Sequence, residues 1–208
     1  MSLAELDHLV VTASTLEAGA AHVANCLGIA PHPGGAHPDM GTHNRLLRLD
    51  ETTYLEVIAI DPQGEDPQDR RWFDLDGDAG TPRLATWVAR SRDLAAATAA
   101  AGYDAGPIRP MRRGALHWRI AFPRSGELME GGLLPPLIEW PADMRHPSAA
   151  LPDDGLSLVR LEAEHPEPDT ILAALRPSAL DHVLDCREGP APALRAHIRT
   201  PGGIRTLA

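Results

Sequence analysis

The chain has 208 residues, of which 29 are Asp or Glu and 19 are basic, giving a formal charge of −10 with the ten histidines neutral. Every basic residue is arginine; the acidic balance speaks against a nucleic-acid partner, and the lack of lysine excludes Schiff-base chemistry and the lysines of phosphate-binding loops and protein kinases. With 43% apolar and 23% charged residues the composition is that of a folded domain, and two cysteines, Cys26 and Cys186, build neither a disulfide framework nor a four-thiolate zinc site.

The first residues show no basic stretch followed by an apolar run, and nothing approaches the roughly 18 apolar residues of a membrane span. The expectation is a cytoplasmic protein with no membrane partner. Leu6 to Thr12 reads as a strand. Ser14 or Thr15 then caps a helix whose apolar residues Leu16, Ala20, Val23, Ala24 and Leu27 recur at helical spacing up to a stop at Gly28. The Pro/Gly/His segment 31–41 reads as a loop. Arg45 to Leu49 and Thr53 to Ile60 come next as strands joined around Asp50 and Glu51 in a hairpin. The module is β-α-β-β, with space for one more strand. An Asp/Gln/Gly/Pro-rich stretch, 61–80, connects it to a second module, and Trp72 and Phe73 imply that part of this connection packs down.

In that second module the same order returns. Leu84 to Ala89 reads as a strand, Arg92 to Ala101 as a helix stopped by Gly102, and Leu116 to Phe122 and Leu137 to Trp140 as strands. This is an internal repeat. Aligning Leu16 with Leu94 gives an offset of 78, which places His8 over Thr86 and matches the strand ending in Glu56 with the one ending in Glu139. A weaker third copy has strands at 156–162, 182–186 and 194–199 and a helix at 169–175. The expected organisation is a body over residues 1–145, with modules at about 3–60 and 82–142, and an extension over 146–208 packed on it.

Strand alternation puts His8 on a face with Leu6 and Val10, and Glu56 on a face with Tyr54 and Ile58. A titratable group among apolar neighbours needs a partner, and His8, Glu56 and Glu139 on three strands could converge on a divalent ion. On the residues alone the alternative stays open: either glutamate faces solvent and His8 is a hydrogen-bonded core residue. Cys26 and Cys186 read as packing residues. His146, His165, His182 and His197 lack ligand spacing and receive no role.

The segments Leu6-Asp7-His8-Leu9-Val10-Val11, Gly41-Thr42-His43-Asn44, Tyr54-Leu55-Glu56-Val57-Ile58 and Pro136-Leu137-Ile138-Glu139-Trp140 resemble, in this order, the glyoxalase-like domain proteins of the vicinal oxygen chelate superfamily. The resemblance, which spans about residues 3–145, implies an α+β fold of paired βαβββ modules whose curled mixed sheets enclose a cleft; the partial third βαββ unit read from the residue pattern adds to it at the C-terminal end. It implies a metal held by His8, Glu56 and Glu139, with Thr86, a poor ligand, at the fourth position. The ion is Mn, Fe, Zn, Mg or Ni. It would serve a lyase, isomerase or dioxygenase acting on a small molecule, with Glu139 and Glu56 as the proton-transferring carboxylates. His43 and Asn44 at the cleft mouth, and His117 and Arg119 on one face of the strand 116–122, are the expected substrate contacts. The competing expectation is a metal-free binding protein with the same fold. A homodimer is the expected assembly.

Overall fold

A computed structural model describes residues 3–77 and 80–208. The first module is complete: β1 (Glu5–Thr12), α1 (Leu16–Leu27), β2 (His32–His37), β3 (Thr42–Arg48) and β4 (Tyr54–Ile60). Thr15 caps α1 by accepting the Ala18 amide, and Gly28 ends it in the left-handed conformation at φ 79°. The second module repeats the order with β5 (Arg83–Arg90), α2 (Leu94–Ala100), β6 (Ile108–Arg113), β7 (Leu116–Ala121) and β8 (Leu137–Glu139). Asp93 caps α2 through the Ala96 amide. The helix ends at Ala100, and Gly102 just beyond it meets the later helix Pro168–Leu175, its amide donating to the Ala174 carbonyl at 3.2 Å.

All eight strands form one sheet in the order β2-β3-β4-β1-β5-β8-β7-β6, in which each module's first strand runs parallel to its last and β1 meets β5 antiparallel. The β1–β5 register pairs His8 with Val88 and Val10 with Thr86, the pattern of a local twofold relating residues 78 apart. The sheet curls until β2 and β6, the two ends of the strand order, touch. Neither of these two strands is expected from the sequence. They are edge strands, β2 of sequence His-Pro-Gly-Gly-Ala-His and β6 holding Pro110 and three arginines, and neither shows apolar alternation. Proline is tolerated at an edge because no neighbour needs its amide.

The C-terminal segment supplies β9 (Ser157–His165), α3 (Pro168–Leu175), β10 (Leu184–Glu188), β11 (Ala193–Thr200) and β12 (Gly203–Leu207). Its sheet has the order β10-β9-β11-β12, one strand more than the repeat implied. The first strand here pairs with the second and third, whereas in both modules it pairs with the fourth.

Two apolar clusters lie on the two faces of the large sheet. The outer one joins Leu9, Val11, Val23 and Leu55 to Leu161, Leu175, Ile198 and Leu207 of the C-terminal unit. The inner one holds Val10, Ile58, Val88, Trp72, Phe73, Trp118 and Ile138. Trp72 and Phe73 come from the connection between modules, which Arg71 ties down through Asp76 (2.6 Å), Asp66 (2.5 Å) and the Met40 carbonyl (3.1 Å). Among the described residues no helix is long and apolar enough to cross a membrane.

Because one outer core spans both sheets, removing residues 152–208 is expected to yield aggregated protein without a cooperative melt, as read by size-exclusion chromatography and circular dichroism. Ile198→Ala, at a fully buried position, is expected to cost about 2–5 kcal/mol in urea unfolding.

Candidate active site

The curled sheet forms a narrow, partly open cavity of about 20 Å³. Its polar wall is His8, His37, Glu56 and Arg113; the rest is Tyr54, Trp72, Phe73, Trp118, Trp140, Ile120 and Ile138. Strand alternation explains most of this set. In the β1–β4 register His8 pairs with Tyr54 and Val10 with Glu56, so these four side chains share the concave face. The Tyr54 ring stacks on His8 with centroids 4.5 Å apart.

Asp7 is the exception to alternation. In the β1–β5 pairing Leu6 is opposite Ala89 and His8 opposite Val88, leaving Asp7 as the extra residue of a bulge. A bulge re-aims the side chain it carries. Asp7 is completely buried, and its carboxylate accepts from His8 Nδ1 (2.6 Å), Trp140 Nε1 (3.0 Å) and His146 Nε2 (3.0 Å). A second bulge, on β5, leaves Ala85 unpaired between Thr86 and Leu84. Ala85 lies 78 residues after Asp7, so the twofold repeats the backbone device while only the first module carries the acid.

The other imidazole nitrogen, His8 Nε2, lies 3.5 Å from Glu56 Oε2. Glu56 Oε1 accepts from the Asn44 side-chain amide, and Asn44 Oδ1 in turn accepts the Gly35 backbone amide at 2.9 Å. That bond fixes which end of Asn44 faces the carboxylate. The remaining Asn44 N–H points to His37 Nε2 at 3.4 Å, which assigns His37 as neutral with its Nδ1–H donating to the Thr42 hydroxyl at 3.1 Å. The glycines of β2 make this possible: a Cβ on Gly34 would sit 2.0 Å from Asn44 Oδ1.

The electrostatics follow from these contacts. Burial opposes a charge on His8, but hydrogen bonds and attraction from Asp7 and Glu56 raise its pKa to about 9. Burial likewise opposes ionisation of Glu56, yet His8, His37 and Asn44 lower it to about 2. Asp7 is held well below the carboxylate range, its donors outweighing burial. Burial alone dominates at His37, pushing it down to about 4. At neutral pH the array is carboxylate, imidazolium, carboxylate, with neutral His37 behind.

Glu139 does not join this array. The register matches Val11 with Val57 and Ala89 with Leu137, so the counterpart of Val57 is Leu137 and that of Glu56 is Pro136. Glu139 lies three residues further along, an odd displacement that turns it to the opposite face. There it accepts from Arg119 (2.6 Å) and from the Leu94 amide at the start of α2 (2.7 Å). Arg119 and His117 are exposed on that same outer face, while Trp118 and Ile120 between and beside them line the cavity. His43 points away from its neighbours Thr42 and Asn44 and lies 4.0 Å from Asp61. Thr86 lies outside the cavity, its hydroxyl donating to the Gly132 carbonyl at 2.9 Å. Among the described residues no three His, Cys, Asp or Glu side chains could share an ion. The donor set therefore does not fit the three-ligand metal centre expected from the sequence: a His and a Glu face each other across 3.5 Å, and the third ligand is on the far side of the sheet.

Asp7, His37, Arg113 and His146 carry no sequence signal for a site role. Asp7 adjoins His8, a spacing that alternation sends to opposite faces; only a bulge, silent in the sequence, reverses that. His37 and Arg113 sit on the two edge strands, which show no apolar periodicity.

The sequence profile of the glyoxalase-like domain matches residues 6–178. The chain belongs to the glyoxalase-like domain family. No curated protein matches it significantly. A solved structure of similar fold is a hypothetical protein from Staphylococcus aureus, 13% identical over 91% of this chain and 88% of that one, with a TM-score of 0.62. Weaker matches include methylmalonyl-CoA epimerase from Mycobacterium tuberculosis, 20% identical over 68% of this chain and 91% of that one, TM-score 0.43. A variant of 4-hydroxymandelate synthase from Streptomyces coelicolor is 12% identical, over all of this chain and 63% of that one, TM-score 0.49.

Two titration results are expected of this glyoxalase-like site. By NMR the His8 ring titrates near 9; Asp7→Asn and Glu56→Gln each move the midpoint down by about a unit or more, and Glu139→Gln leaves it in place. Stability against pH has two limbs. His8, raised above its ordinary 6.5, contributes fully below that pH and loses its contribution as pH rises through 9. Glu56, lowered from 4.5, contributes above 4.5 and loses its contribution as pH falls through 2, and neutral His37 weakens the fold further between 6.5 and 4. Melting temperature should fall on both sides of about pH 6.5, and the alkaline limb should shrink in Glu56→Gln.

Proposed function

We propose that this chain is a small-molecule enzyme that moves a proton on a carbon next to a carbonyl, with Glu56 as base and His8 as acid, and that it does so without a protein-bound metal. The observation that carries the reading is the charged pair His8 and Glu56, 3.5 Å apart and buried at the head of an aromatic-walled cavity. Family membership supports a small-molecule substrate and says nothing finer about the reaction.

A substrate carbonyl oxygen entering between the two side chains would take the His8 Nε2–H. Glu56, released from its imidazolium partner, becomes a stronger base. The C–H bond breaks, its proton passes to the Glu56 carboxylate, and its electron pair moves into the enolate, whose oxygen His8 holds. Returning the proton to the other face completes an epimerisation; in a 2-hydroxy ketone, His8 passes its proton to the former carbonyl oxygen and takes up the hydroxyl proton, and return of the carbon-bound proton from Glu56 to the former carbonyl carbon completes an isomerisation. Asp7 keeps the imidazole oriented, and Asn44 keeps the carboxylate oriented.

The test is solvent exchange in D₂O on small 2-hydroxy ketones and 2-oxo acids, monitored by proton NMR. The wild type should accelerate deuterium incorporation next to the carbonyl, His8→Asn and Glu56→Gln should each lower the rate by about 10²-fold or more, and dialysis against a chelator should leave it unchanged. Loss on chelation with recovery on adding a divalent ion would overturn the metal-free reading. Ligand binding without exchange would establish the binding-protein alternative.

A further inference from the structure

The inner face of β6 carries an arginine that the proton-transfer reading does not use. Three arginines lie on this strand. Arg109 stacks over the Phe122 ring at 4.4 Å and faces Asp69 at 3.4 Å. Arg112 points to the surface and Asp39 at 3.5 Å. Arg113 is 9% exposed and lines the cavity, and among the described residues no hydrogen bond or ion pair reaches its guanidinium. Its nitrogens keep some contact with solvent, so the guanidinium is held at the cavity without a protein partner and is free to take an anion. Trp72, in the same cavity wall and 3% exposed, has an indole N–H that also finds no acceptor among the described residues.

Arg113 also lines a surface groove on the other side of the β2–β6 seam, with Gly34, Gly35, Gly114 and Leu116. Its stem passes against Gly35, where a Cβ would come within 3.0 Å of Arg113 Cγ. The guanidinium therefore stands between the outside and the His8–Glu56 pair. The walls beyond it are flat and apolar, formed by Trp118, Trp140 and Phe73. Asp7 lies behind His8 and is faced by Arg90 at 3.8 Å, so among the groups that line the cavity His8 and Glu56 offset each other and Arg113 is left as the positive charge that an entering anion would meet.

We propose that Arg113, with the unpartnered Trp72 N–H in the same cavity wall, is the anchor for the carboxylate of the substrate, and that the substrate is a small monocarboxylic acid with a flat apolar body. The proposal rests on this cavity being the substrate site and adds the substrate class to it. A charge-assisted, two-pronged contact of this kind separates an acid from its neutral isostere by about 10- to 100-fold.

The probes are benzoate and its neutral counterpart benzamide, titrated into the full-length protein at fixed ionic strength with tryptophan fluorescence as the readout, since Trp72, Trp118 and Trp140 line the cavity. Wild type should prefer benzoate by about 10- to 100-fold. Arg113→Gln should lower benzoate affinity to that of benzamide and leave benzamide binding as it was, and Arg113→Lys should keep part of the preference. Equal affinities in the wild type, or an undiminished preference in Arg113→Gln, would overturn the proposal. Should Arg113→Gln fail to fold, the wild-type comparison and Arg113→Lys still decide it. His8→Asn separates the two readings: benzoate preference retained while exchange is lost supports both, preference without any exchange in the wild type leaves the anchor standing and removes the acid–base role, and exchange without preference does the reverse.

Discussion

The antiparallel seam of β1 and β5 is the constraint on which the site depends. It joins the modules about a local twofold, and each strand contributes one bulge at the equivalent place, Asp7 in one and Ala85 in the other. A regular strand would send Asp7 to the helix-covered face, away from His8. The bulge turns it inward, where it meets His8, Trp140 and His146 at once. On its other edge β1 pairs with β4, and their parallel register puts Tyr54 against the face of the imidazole and Glu56 opposite its Nε2.

A buried carboxylate pair is tolerable because the charges alternate and each carboxylate has donors facing it. Asp7 accepts three hydrogen bonds, and Glu56 accepts from Asn44 while facing His8. Asn44 is held by a backbone amide of β2, so the geometry of the acid–base pair extends to a strand at the edge of the sheet. The glycines of that strand serve two neighbours. Gly34 admits Asn44, and Gly35 admits the stem of Arg113. The segment that closes the curled sheet thus also positions the carboxylate and borders the way in.

The connection between the modules is part of the cavity rather than a spacer. Arg71 gathers Asp66, Asp76 and the Met40 carbonyl around itself, and this anchor presses Trp72 and Phe73 over the concave face. The two halves of the repeat are accordingly unequal. The first module supplies the titratable groups His8, His37 and Glu56, and the second supplies Trp118, Trp140, Ile120, Ile138 and the unpaired Arg113.

Much of this architecture is legible in the residues themselves. Apolar periodicity marks β1, α1, β3, β4, β5, β7 and β9, Thr15 and Gly28 mark the ends of α1, and the offset of 78 recurs in the β1–β5 register. His8 and Glu56 stand out because each interrupts an apolar face, and Asn44 through the family resemblance. The edge strands β2 and β6 carry no such signal, since an edge has only one hydrogen-bonded neighbour and glycine, proline and arginine suffice there. Glu139 is misplaced for a related reason: matching its strand to that of Glu56 by residue type shifts the register by an odd number, and a period of two converts that into the opposite face. Sequence by itself determined the modules, their repeat and two of the site's charged groups, because local periodicity and capping are properties of neighbouring residues. Which side chains meet in the cavity was decided by bulges, register and the curl of the sheet, which arise only when distant strands pair.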